Sequence, residues 1–241
     1  MTADQGARGV FITFEGGDGA GKTTHIRFLE RSLREHGLEV VSLREPGGTD
    51  VGEALRRVVL DPAHEALSDR AELLIYEAAR AQIVAEVIRP ALARGAVVLC
   101  DRFFDSTIAY QVYGRGLDRA FVDQANAFAT GGIMPDRTLL MVCGGARHGL
   151  GRVASRRTAD RLELAGTEFH DRVDAGFAAL AAQDGERIRV IDSSGARSLT
   201  SALIFQELSD LFPWMADARE CSEEFFAALD RPPVRSGARR A

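Results

Sequence analysis

Residues 16–24 read Gly16-Gly17-Asp18-Gly19-Ala20-Gly21-Lys22-Thr23-Thr24. Glycines at this density let successive backbone N–H groups turn inward and form a nest for an anion. The run fits G-x-x-x-x-G-K-[ST], in which the lysine reaches the β- and γ-phosphates of a nucleotide and the hydroxyl ligates Mg²⁺. Lys22 and Thr23 hold those two places. An apolar run over 10–15 reads as a strand leading into the loop. Residues 22–36, with Ile26, Leu29 and Leu33 at helical spacing, lead out of it. A helix N-terminus at that point adds partial positive charge to the nest. The motif identifies triphosphate binding and leaves the reaction open, because ATPases, GTPases and kinases all use it.

A second candidate is Cys100-Asp101-Arg102, which closes an apolar run over 96–100. Parallel sheets bind ligands at the C-terminal ends of their strands. Asp101 there can act on Mg²⁺ or its water shell, and Arg102 can hold a phosphate in a bidentate grip. Alone, the pair would also suit a capping Asp and a surface Arg. A third candidate is basic: Arg152, Arg156, Arg157 and Arg161 lie between Gly149 and Glu163. Phosphoryl transfer spreads negative charge over equatorial oxygens, which arginines on a closing lid can stabilise. A solvated basic helix is the plain alternative.

The elements that must position these groups alternate along the chain. Strands are expected at 10–15, 39–43, 96–100, 138–142 and 187–191. Helices are expected at 22–36, 51–60, 71–93, 121–128, 169–182 and 199–211. The strands are continuous apolar runs, as when both faces are covered. The fold class is therefore α/β, a five-stranded parallel sheet with helices on both faces. Residues 8–212 form the expected domain and 213–241 a C-terminal extension. In the extension, 216–230 reads as one amphipathic helix and 231–241 as a disordered tail. The net charge of −5 leaves no bulk positive field to draw in a nucleic-acid polymer. No apolar run approaches the ~20 residues that span a bilayer, and the start of the chain lacks a signal core. Cys100, Cys143 and Cys221 are odd in number and widely spaced. The expectation is a soluble cytoplasmic protein with reduced thiols.

The run from Asp101-Arg102 continues Phe103-Phe104-Asp105-Ser106-Thr107-Ile108-Ala109-Tyr110-Gln111. Here the chain resembles bacterial thymidylate kinases. That family carries Asp-Arg, then Ser-Thr or Ser-Asn, then Ala-Tyr-Gln at this spacing. Other family signatures follow in order. Residues 11–24 resemble its opening strand and loop, Glu15 and Asp18 included. Arg44-Glu45-Pro46-Gly47-Gly48-Thr49 matches the bacterial form. Glu72 to Gln82 resembles the helix lining the base pocket, and Asp160-Arg161-Leu162-Glu163 the end of the lid.

The resemblance implies a P-loop NTPase fold with a mobile lid, a homodimer, and transfer of the ATP γ-phosphoryl group to dTMP with Mg²⁺. ATP would lie on Gly16, Gly17, Asp18, Gly19, Ala20, Gly21, Lys22, Thr23 and Thr24, and Mg²⁺ on Thr23 and Asp101. Tyr76 would stack on thymine, although taken alone it reads better as a core aromatic. Arg80, one helical turn on, would bond the base edge or the phosphate. Thr107 and Gln111 would read the base, and Tyr110 would crowd the ribose 2′ position. Asp18 would face the 3′-hydroxyl or a Mg²⁺-bound water. Arg44 and Arg102 would grip the acceptor phosphate. The phosphate loop contains no arginine, so catalytic charge beside Lys22 and Arg102 would come from Arg152 and Arg156. In one departure, the family's Asp-Val-Pro after the fourth strand is replaced by Met141-Val142-Cys143-Gly144-Gly145. It leaves room for a catalytically weak nucleotide-binding relative, and because Tyr76, Arg80, Thr107 and Gln111 argue for a pyrimidine pocket without proving thymine, another nucleoside monophosphate kinase is the other alternative.

Overall fold

The computed structural model describes residues 8–144, 160–218, 221–227 and 229–230. Five strands are present: β1 (Phe11–Glu15), β2 (Val40–Arg44), β3 (Val97–Asp101), β4 (Arg137–Val142) and β5 (Ile188–Asp192). All pair in parallel, in the order β2-β3-β1-β4-β5. The expected five-stranded parallel sheet with helices is therefore what the chain forms. Strand ends differ from the sequence reading by about one residue, the usual uncertainty of such boundaries. β1, β3 and β4 are the most buried, as expected of central strands in a covered parallel sheet. Sheet order puts the C-terminal ends of β1 and β3 side by side. The phosphate loop after β1 therefore borders Asp101 and Arg102 after β3.

The helices are α1 (Lys22–Glu35), α2 (Asp50–Leu60), α3 (Asp69–Ile83), α4 (Arg89–Ala93), α5 (Phe104–Thr107), α6 (Arg119–Thr130), α7 (Thr167–Gln183), α8 (Arg197–Leu208) and α9 (Glu223–Ala227). Side-chain oxygens of Thr49, Ser68 and Asp118 accept hydrogen bonds from Gly52, Ala71 and Phe121 N–H at the starts of α2, α3 and α6. The long helix expected over 71–93 contains a π-helical segment, Val84–Ile88, between α3 and α4. Pro90 lacks the N–H that a continuous α-helix would present to residue 86 there. A second π segment, Ile108–Gly114, extends α5 and carries Tyr110 and Gln111.

The chain divides into two compact units, Met1–Ser194 and Gly195–Ala241. The first is built on Phe11, Leu73, Ile83, Ile88, Val98, Phe103 and neighbours. The second gathers aromatic rings around Phe205, with centroids of Trp214, Phe225 and Phe226 at 5.8, 5.7 and 5.1 Å. The single helix expected over 216–230 is corrected here. A 3-10 turn at Pro213–Ala216 is followed by extended backbone at Asp217, and α9 starts afresh at Glu223. The Ser222 hydroxyl accepts from Phe225 N–H at 3.3 Å at that start. Breaking the helix lets three rings meet Phe205. The tail at 231–241 lies outside the described residues. No described helix is long and apolar enough to cross a membrane.

Candidate active site

β1 delivers the phosphate loop and α1 receives it. Gly16 has φ +114°, and a Cβ there would stand 2.1 Å from the Met141 carbonyl oxygen, so only glycine lets the loop leave the sheet this way. Gly21, at φ +93°, begins α1 without any side-chain cap, which leaves the first N–H groups of the helix free for an anion. Lys22 is buried and its Nζ donates to the carbonyl oxygens of Gly16 and Gly17 at 2.9 and 3.0 Å. Burial lowers its pKa and Arg102 lowers it further, while Asp101, Asp18 and Glu15 oppose. The Thr23 hydroxyl donates to Asp101 Oδ2 at 3.1 Å. A hydroxyl and a carboxylate are hard oxygen donors that suit Mg²⁺, which is commonly held by one or two carboxylates plus substrate phosphates.

Next to the loop lies a small cleft of about 100 Å³, open at its mouth. Asp18, Tyr76, Arg80, Arg102, Thr107, Tyr110 and Gln111 all line it. The structure thus brings together seven of the eight residues expected to bind the acceptor. Arg44 is the eighth. It faces Glu53 at 3.0 Å and the Pro46 carbonyl at 3.3 Å, outside the cleft wall, and a different arginine, Arg56 of α2, lines the cleft instead. Arg56 donates to the same Pro46 oxygen at 2.8 Å, across the cis Glu45–Pro46 peptide.

Arg102 is a non-glycine residue with φ +72°. One end of its guanidinium donates to Asp18 Oδ1 at 2.8 Å, and the other to Ser106 Oγ at 3.1 Å. The fork also lies over the Tyr110 ring, 5.3 Å from its centroid. Burial raises the Asp18 pKa, but Arg102 and Lys22 outweigh it and bring Asp18 to about 2. Asp18 is therefore an ionised acceptor at the cleft mouth. Glu15, wholly buried beneath, is pushed up to about 7 by burial and then by Asp105, against the pull of Arg102.

The floor is a charge cluster that sequence reading missed. Arg80 is almost fully buried. Glu45 Oε2 takes its Nε and Nη2 at 2.9 and 2.8 Å, Glu77 takes Nη1 at 3.1 Å, and Asn126 Oδ1 takes Nη1 at 2.9 Å. Its guanidinium sits 5.4 Å from the Phe103 ring centroid. Burial pushes Glu45 up to about 7 despite Arg80. Glu72, fully buried on α3, is a second node. Its Oε1 accepts from Gln111 Nε2 at 2.8 Å and Arg115 Nε at 3.2 Å. Its Oε2 accepts from Arg115 Nη2 at 3.0 Å and from Arg161. Burial raises the Glu72 pKa, but the bonds from Arg115 and Gln111 outweigh it and the net shift is downward. Tyr76 also lines the cleft, and burial, with Glu72 next, raises its phenol pKa. Arg152 and Arg156 lie outside the described residues.

A family model for thymidylate kinase matches residues 14–204. The thymidylate kinase of Pelotomaculum thermopropionicum is 50% identical over 194 residues, covering 80% of this chain and 89% of that one. The Geobacter sulfurreducens thymidylate kinase is 46% identical over 210 residues, 85% of this chain and 99% of that one. Among solved structures, thymidylate kinase from Ehrlichia chaffeensis superposes with a TM-score of 0.69 at 32% identity, covering 83% of this chain and 99% of that one. The family match over residues 14–204 and relatives this similar over most of their length show that the chain belongs to the thymidylate kinase family.

Proposed function

We propose that the protein transfers the γ-phosphoryl group of ATP to dTMP, giving ADP and dTDP. The observation that carries this reading is the meeting of the Lys22 loop and the Arg102–Asp18 pair at the mouth of a cleft floored by Gln111, Arg80 and Tyr76. In the reaction an oxygen of the dTMP phosphate forms a bond to the γ-phosphorus while the bond to the β-bridging oxygen breaks. No side chain need be covalently modified, since positioning and electrostatics carry phosphoryl transfer. Lys22 and the open N–H groups of α1 hold the ATP phosphates, and Arg102 holds the acceptor phosphate. Thr23 and Asp101 would hold Mg²⁺, which would neutralise charge on the phosphate oxygens. Arg152 and Arg156 supply further positive charge.

The base is read by groups already oriented. Gln111 commits its amide nitrogen to Glu72, which leaves its oxygen to accept from a pyrimidine N3–H. Arg80 is neutralised by Glu45 and Glu77. It therefore acts as a rigid donor, and of its two expected roles the base edge is favoured over the phosphate. Asp18 accepts from the sugar 3′-hydroxyl. A homodimer is also proposed. Val51 and Val58 on α2, Leu74 on α3, and Phe121 and Phe128 on α6 are exposed on helices packed in series, with Phe128 89% exposed. Such an apolar surface suits a second copy of the chain. A cytoplasmic location is proposed because Cys100, Cys143 and Cys221 form no disulfide among the described residues. The test is ADP release measured with dTMP, dUMP, dCMP and dGMP as acceptors. dTMP should give the highest kcat/KM, and a cytosine or purine acceptor that matches it would overturn the reading.

A further inference from the structure

We propose that Glu15 is a positioning residue for the acceptor phosphate: its carboxylate fastens the left-handed turn at Arg102 and, through Ser106, aims the Arg102 guanidinium. Glu15 ends β1 with no exposure to solvent. It cannot touch either nucleotide, and its bonds run in another direction. Oε1 accepts from Phe103 N–H at 2.7 Å and from Ser106 N–H at 3.3 Å, and Oε2 accepts from the Ser106 hydroxyl at 2.5 Å. All three donors belong to the turn that follows Arg102.

That turn needs fastening. Arg102 occupies the left-handed region, where a side chain other than glycine is strained, and such conformations persist only when the surroundings over-determine them. The peptide before Arg102 is tied by its N–H to the Phe14 carbonyl at 2.9 Å. The peptide after it is tied to Glu15. Two consecutive residues of β1, one by main chain and one by side chain, thus hold both flanks of the strained residue.

The second consequence concerns the guanidinium. Because the Ser106 hydroxyl donates its only hydrogen to Glu15, its oxygen is turned to accept, and it accepts from Arg102 Nη1 at 3.1 Å. Asp18 takes the other end of the fork. The order Glu15, Ser106, Arg102, Asp18 fixes the plane of the guanidinium at the cleft mouth, and a bidentate phosphate grip depends on that plane. Replacing Glu15 by Gln puts a donor where Oε2 was, so Ser106 is offered two donors and Arg102 loses its exclusive acceptor.

This inference rests on the reading of Arg102 as the grip on the acceptor phosphate, and the experiment separates the two. Binding of dTMP and of thymidine, which has no phosphate, is measured by calorimetry for the parent, Glu15→Gln, Ser106→Ala, Arg102→Ala and the Glu15→Gln/Arg102→Ala double variant. KM for ATP is measured alongside. At pH 8, where the Glu15 carboxyl is mostly ionised, Glu15→Gln should weaken dTMP binding about 10–100-fold, the worth of a charge-assisted hydrogen bond. Thymidine binding and KM for ATP should change less than about 2-fold. The double variant should bind dTMP no worse than Arg102→Ala alone, as two members of one chain should. If Glu15→Gln folds poorly, Ser106→Ala keeps both backbone bonds to the carboxylate and carries the same comparison. Equal losses for dTMP and thymidine would assign Glu15 a purely structural role and overturn the proposal. Parent-like dTMP binding in Glu15→Gln and Ser106→Ala, with a loss in Arg102→Ala, would overturn it while sparing Arg102. Parent-like binding in Arg102→Ala would overturn both.

Discussion

Replacing Glu72 by Gln should damage stability and acceptor binding together, by amounts that can be worked out from its four hydrogen bonds. The carboxylate is fully buried, and each oxygen receives two donors: Gln111 and Arg115 on one, Arg115 and Arg161 on the other. A carboxamide offers one oxygen and one NH₂, so two of the four donors meet a donor. Hydrogen bonds to charged groups are worth ~1.5–3 kcal/mol each. The loss is therefore about 3–6 kcal/mol before relaxation, in line with ~3–5 for breaking a buried pair. For a domain of this size, 3 kcal/mol corresponds to a fall in Tm of about 6–12 °C. Gln111 would lose its anchor as well, and one ordinary hydrogen bond, ~1 kcal/mol, predicts a KM for dTMP raised about 5-fold. The measurements are urea unfolding followed by far-UV circular dichroism, and steady-state kinetics at saturating ATP. A midpoint equal to the parent's would show that this carboxylate is not the node joining α3, the π segment and the Asp160–Glu163 stretch.

Two further outcomes are expected. The Tyr110 ring is wedged edge-on between Phe169 and Phe177, at 6.0 and 6.3 Å, so its exclusion of a ribose 2′-hydroxyl should be steric. The parent and Tyr110→Phe should both prefer dTMP to its ribose counterpart, and Tyr110→Ala should not. Loss of discrimination in Tyr110→Phe would place it in the hydroxyl instead. Glu45 has its pKa raised from 4.5 to about 7, by burial first. Because the folded-state value is the higher one, its stabilisation is complete below about pH 4.5 and is lost as pH rises through about 7. Urea unfolding of the parent and Glu45→Gln between pH 5 and 8 should show the parent's advantage shrinking with pH, and a constant or growing advantage would contradict the assignment.

What the sequence revealed and what it hid follow from the range of the forces involved. The phosphate loop was legible because Gly16 to Thr24 is one local turn whose conformational needs are written in its glycines. The strands were legible because burial on both faces leaves apolar runs such as Val97–Cys100. Tyr76 and Arg80 could be placed on one face by helical spacing. The partners of Arg80 could not, since Glu45 comes from β2 and Asn126 from α6. Glu72 was visible only as a letter in a family-like run, because Arg115 and Arg161 reach it from 43 and 89 residues away. Arg56 was passed over because nothing in α2 announces which of its arginines faces the cleft. The helix wrongly expected over 216–230 had the right periodicity, but periodicity cannot weigh a helix against a cluster of rings around Phe205.

The central place of β1 has a bearing on how the molecule is made. β1 takes neighbours on both sides, and on one of them Thr13 meets Thr138, 125 positions later. At a synthesis rate of about 5–20 residues per second, the strand waits on the order of ten seconds for that neighbour to leave the ribosome. Through that interval Phe11, Ile12 and Phe14 belong to an unfinished sheet, the kind of surface on which chaperones act. The phosphate loop waits too, because Gly16 is shaped against Met141 of β4 and Thr23 against Asp101 of β3. ATP, abundant around every nascent chain, can therefore lend no stability to the early chain. The shaped loop therefore awaits the pairing of β1 with β3 and β4, and it does not require the last strand.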